Sequence, residues 1–104
     1  RINVDLVSSR NLPSVQERTE RVLAWLRAAG ADTYVVPRAH LDLIDADAIR
    51  AAGFQVSIFH FDHPVYHQVH GTFQPGMSGL DLLFNEGEKS LFILQQSFKL
   101  EGVR

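Results

Sequence analysis

Two short runs, Leu26-Arg27-Ala28-Ala29-Gly30 and Ile49-Arg50-Ala51-Ala52-Gly53, end alike, and each leads directly into β-prone residues. A helix that stops at glycine and passes straight into a strand is half of a β-α-β unit, so the echo reads as two crossovers in succession. Crossovers of this kind join parallel strands, which restricts the chain to α/β or α+β architectures. With 104 residues there is room for one such domain with one core, residues 1–104 being read as a single domain.

The remaining elements are placed around that frame. Ile2 to Val7 alternate apolar and polar residues and read as a first strand, followed by a polar loop, Ser8-Ser9-Arg10. A helix from Ser14 to Ala29 follows, with Ser14 and Glu17 as a capping box. Its inner face carries Val15, Val22, Leu26 and Ala29, and Glu17 is spaced to pair with Arg21 one turn on. Thr33 to Val36 form a second strand closed by Pro37, and Asp42, Asp45 and Asp47 mark the start of a second helix, where acids suit the dipole. Phe54 to Phe61 is the most apolar run and reads as a central strand. After an irregular stretch holding Gly71, Pro75, Gly76 and Gly79, Leu80–Phe84 and Lys89–Phe98 read as a hairpin around 85–88. The expected fold is a three-layer α/β or α+β domain, β-α-β-α-β in its first half and closed by a C-terminal antiparallel hairpin.

Composition narrows the chemistry. No apolar run approaches the ~20 residues that a bilayer span requires, so no membrane partner is expected and the cytoplasm is the default compartment. Beginning at Arg1 without methionine, the chain reads as a processed product or a fragment or subunit of a larger protein. A formal charge of −2 argues against an extended nucleic-acid surface. With no cysteine, there are no disulfides, no thiolate nucleophile and no sulfur-based zinc site, and any metal must be held by imidazole and oxygen.

Histidine is where the sequence is unusual. Four of the five histidines, His60, His63, His67 and His70, lie in FHFDHPVYHQVH, residues 59–70, together with Asp62. Were the strands parallel neighbours, their carboxyl ends would bring Ser8, Ser9, Arg10, Arg38, His40, His60, Asp62 and His63 to one edge of the sheet, the usual address of ligand sites in open α/β folds. Asp62 as N-cap, Pro64 in a first turn and Gly71 as a stop would make residues 63–70 two turns of helix. His63, His67 and His70 would then share a face and reach one divalent cation, Zn, Fe or Mn, with His60 and Asp62 in support. The competing reading is a polar loop that happens to use histidine.

Two local resemblances bear on function. Val69-His70-Gly71-Thr72-Phe73 is similar to the oxyanion turn of some lipases of the α/β-hydrolase fold, but the nucleophile elbow G-x-S-x-G fails because position 80 is leucine, which excludes serine hydrolase chemistry. Ser78 to Phe84 followed by Leu91 to Ser97 resembles the hairpin of restriction-endonuclease-like nucleases. That resemblance implies Mg²⁺ held by Asp81 and Gln95, while the lysine the motif expects is Ser97.

The leading expectation is a small metal-dependent hydrolase or lyase domain with His60, His63, His67 and His70 as ligands and Asp62 and Asp81 as catalytic carboxylates. Its substrate would be a small molecule or a phosphodiester. The alternatives are a non-catalytic interaction module, meeting a protein partner or a second copy of the chain, and a degenerate nuclease-like domain. Asp81 is expected to serve function more than stability.

Overall fold

The computed structural model describes residues 3–103. It is a mixed fold in which, among the described residues, three strands form one sheet in the order β1-β2-β3. The elements are α1 (Arg18–Ala29), β1 (Thr33–Pro37), α2 (Ala46–Ala51), β2 (Gln55–Phe61), α3 (Gly79–Glu86), α4 (Ser90–Ser97) and β3 (Phe98–Gly102), with 3₁₀ turns at Ser9–Asn11, Arg38–Leu43 and Gly87–Lys89. The chain divides into two compact units, a first reaching to Phe59 and taken up again from Glu101, and a second, His60–Leu100.

The first unit is built as the repeated helix endings suggest. α1 stops at Gly30, whose φ of 65° is the left-handed conformation that glycine adopts without a Cβ penalty. Two residues later β1 begins, and it pairs in parallel with β2 from Thr33↔Gln55 to Pro37↔Phe59, with α2 as the crossover between them. The core is Val22 and Leu26 from α1, Val36 from β1, Ile49 from α2 and Val56 from β2. Thr19 ties the two helices together, its hydroxyl accepting the Asp45 N–H at 3.0 Å, while the Asp45 carboxylate caps α2 by accepting from the Ala48 N–H.

Three expectations are corrected in this unit. The strand drawn over Ile2–Val7 is absent from positions 3–7, where Val4, Leu6 and Val7 are exposed and the alternation faces no core; Ile2 lies outside the described residues. One parallel crossover is therefore formed rather than two. Ser14 lies outside α1, and the cap is Glu17, whose carboxylate accepts from the Glu20 N–H at 2.6 Å. Because that carboxylate serves the helix end, Glu17 and Arg21 make no ion pair, and the charge of Arg21 reaches Glu17 only at longer range.

The hairpin drawn over Leu80–Phe98 is replaced by two helices. Ser78 caps α3 by accepting from the Leu80 N–H, and Asp81 sits in the first turn where its charge is favourable. Gly87, at φ 55°, breaks α3 from α4 instead of turning a hairpin. Leu82 is buried, and Ser90 and Ser97 are buried with their hydroxyls donating to the carbonyls of Leu82 and Ile93, so neither is left without a partner. An antiparallel closure does exist, but elsewhere. The Asp62 N–H donates to Ser97 O and the Val103 N–H to Val56 O, so partner numbers fall as β2 rises and β3 runs antiparallel to it.

Candidate functional site

Residues 62–68 follow β2 in irregular backbone with no helix. The reason lies in where their amides go. The Asp62 N–H continues the sheet ladder by donating to Ser97 O, and no helix follows for its carboxylate to cap. The His67 N–H donates to Glu86 Oε1 at 3.0 Å and the Val69 N–H to Asn85 Oδ1 at 2.9 Å, side chains of α3 taking the place of carbonyls one turn back.

At the centre of this arrangement is Asp81. Its Oδ2 accepts from the Tyr66 hydroxyl and, at 2.8 Å, from Gln68 Nε2. Asn85, one turn further along α3, donates through Nδ2 to the Asp81 carbonyl at 2.7 Å and lies 3.3 Å from Oδ1. Gln68 in turn holds residue 74 from both sides, accepting from the Gln74 N–H at 2.8 Å and donating to the Gln74 carbonyl at 3.1 Å. Asp81, Gln68, Tyr66 and Asn85 thus pin the loop 66–74 against α3. The hydrogen bond to Asp81 holds the Tyr66 phenol above its ordinary value of 10.0, and burial adds to the shift.

The pinned loop forms one wall of a cleft of about 220 Å³. Phe61, Tyr66 and Phe73 supply rings, Met77, Leu82 and Leu94 supply aliphatic surface, and His63, Gln74 and Ser78 add the polar groups. Tyr66 and Phe73 meet edge to face at 5.3 Å between centroids, and Phe61 and His63 do the same at 5.0 Å, so the rings brace one another.

The residues expected to form a metal centre are distributed as follows. His60 is half-buried on β2; Asp62, His63, His67 and His70 are exposed in the loop, with His63 on the cleft and His70 beside Asp81 and Phe84 at a separate hollow. The helical face that was to align His63, His67 and His70 does not form. Among the described residues no three or more histidine, aspartate or glutamate side chains are grouped so as to hold a metal ion. The nuclease resemblance needed Asp81 and Gln95 on paired strands, and both are on helices. Asp81, expected as a catalytic carboxylate, has both of its carboxylate oxygens engaged within the chain. Tyr66, Gln68, Phe73 and Asn85 were missed. The available signal was Asn85 at i+4 from Asp81, behind a Ser78-x-x-Asp81 helix start.

No curated protein and no solved structure matches this chain. The WbqC-like protein family does, over residues 1–93, and since that is most of the 104-residue chain, the protein belongs to the WbqC-like family.

Proposed function

We infer that the second unit is a non-catalytic binding module that holds the apolar or ring-shaped part of a small ligand in its aromatic cleft. The observation that carries this reading is the Asp81 network. It fixes the Tyr66 and Gln74 side of the cleft through side-chain hydrogen bonds, so the wall is ordered before a ligand arrives and the ordering cost of binding is reduced. A mostly apolar lining with a few polar groups is the usual make-up of small-molecule sites. At about 220 Å³ the cleft is below the ~300 Å³ at which drug-sized sites begin, and it suits a single ring or short acyl group.

The test is protein-detected NMR against a library of ring-bearing and short-chain fragments. Expected is a set of binders that shift amides between Phe61 and Leu82, with affinity lost when Phe73 is replaced by alanine. A library without a single binder to those amides removes the reading. The competing proposal, a divalent metal held by His60, His63, His67 and His70, is decided by metal analysis of the purified chain: one equivalent of metal, lost on changing His67 to alanine, would displace the cleft.

A further inference from the structure

The first unit carries a cleft of its own, about 350 Å³ in volume, lined by Arg18, Arg21, Trp25, Tyr34 and His40 over Val22. Its charged groups stand ready for a ligand. The guanidinium of Arg21 lies 5.8 Å from the centroid of the Trp25 ring, and neither Arg21 nor Arg18 is in a side-chain hydrogen bond or ion pair with a described residue. The acid one turn before Arg21, Glu17, would ordinarily neutralise it. Here the Glu17 carboxylate is held by the Glu20 N–H at the start of α1, which leaves the guanidinium donors open. The indole is itself fixed, its Nε1–H donating to the Pro13 carbonyl at 2.8 Å.

A guanidinium held over a fixed indole by a cation–π contact keeps its N–H donors available for a carboxylate or phosphate, and the contact reduces the freedom it must lose on binding. His40 follows the carboxyl end of β1, the side on which open parallel sheets take ligands. We propose that this cleft binds a small organic anion bearing a planar ring, Arg18 and Arg21 taking the oxyanion and Trp25 and Tyr34 flanking the ring. The site is independent of the aromatic cleft in the second unit.

Trp25 is the chain's only tryptophan, so its indole N–H gives a single NMR signal that reports on this cleft. The probes are phenyl phosphate, inorganic phosphate and neutral benzamide, added to the full chain. Phenyl phosphate should shift the indole signal saturably, more tightly than inorganic phosphate, and more weakly as salt is raised. Arg18→Gln and Arg21→Gln should each weaken it by about tenfold or more, the scale of one charge-assisted hydrogen bond. Arg21→Lys, which keeps the charge but not the fork, should recover only part of the loss. Arg18 is exposed and Arg21 half-buried, so both glutamine variants should keep the native amide spectrum. The proposal is overturned by an indole signal that does not move with phenyl phosphate, by equal affinity for benzamide or for inorganic phosphate, or by unchanged affinity in both glutamine variants.

Discussion

The Asp81 carboxylate accepts from the Tyr66 hydroxyl, and the phenol is correspondingly harder to deprotonate in the folded chain than in the unfolded one. Above pH ~10 the unfolded chain has lost that proton while the folded chain retains it, so unfolding releases a proton there and stability falls as pH rises. Below the unfolded value the contribution is complete; it is lost as pH passes through the raised folded value. Replacing Tyr66 with phenylalanine should therefore lower the melting temperature at neutral pH and flatten its decline in alkali, seen by thermal melts between pH 7 and 11. An alkaline limb of unchanged steepness would place the titration elsewhere. Asp81 itself has the larger effect: Asp81→Ala removes the acceptor for both Tyr66 and Gln68 and should cost about 1.5–3 kcal/mol in urea unfolding, the scale of a hydrogen bond to a charged group. Hydrogen exchange should rise at the Gln74 amide, which Gln68 holds, more than in β1.

Among the elements, α1 depends on a cap that titrates. The Glu20 N–H holds the Glu17 carboxylate below its usual range, assisted by further helix amides and by Arg21. A depressed carboxylate stabilises above its unfolded value, near 4.5, and the contribution is lost as pH falls through the folded value. Glu17→Gln should lower the melting temperature at pH 7 and converge with the parent in strong acid, checked by melts from pH 7 down to 2.5. Which elements could be read from sequence follows from how unambiguous their periodicity is. Val22 and Leu26, four apart with a glycine stop behind them, announced α1, and Val56 and Ile58, two apart, announced β2. Leu80–Phe84, apolar but for Asp81, and the unbroken apolar run Leu91–Leu94 suit strand and helix equally, and only the Ser78 cap and the Asp81–Asn85 spacing favoured helix. The histidine loop misled for a different reason. Spacing along the chain aligned His63, His67 and His70, but the backbone there is held by Glu86 and Asn85, residues far along the sequence whose approach no local pattern announces. Asp81 was visible as an acid between leucines; its partners Tyr66 and Gln68 were not, because their role appears only once loop and helix are together.

For the whole molecule the question is how little apolar burial supports the fold. Among the described residues the buried hydrophobic side chains are Val22, Leu26, Val36, Ile49, Val56, Ile58 and Leu82, and six of these seven belong to the first unit. The second unit, with Leu82 alone, relies on the Asp81 network and on the buried hydroxyls of Ser90 and Ser97. A chain of this size typically has ~5–15 kcal/mol of stability in all, so one core position can account for a large share of it. Ile49 is the strongest candidate: it is 0% exposed and clusters with Val22, Leu26, Val36 and Val56, joining both helices to both parallel strands. Ile49→Ala removes buried methyl groups and leaves a cavity that the surrounding elements can only partly fill, a change that costs ~2–5 kcal/mol in packed cores. Ile49→Val removes a single carbon and should cost ~0.5–1.5 kcal/mol. Urea unfolding of the two variants measures both, and the ratio matters more than either value. If alanine costs several times what valine does, and the urea dependence of the free energy is unchanged, the loss belongs to the native core. A cost below ~1 kcal/mol for alanine would mean that α2 does not pack into the core as drawn, and the parallel β1–β2 crossover would lose its support.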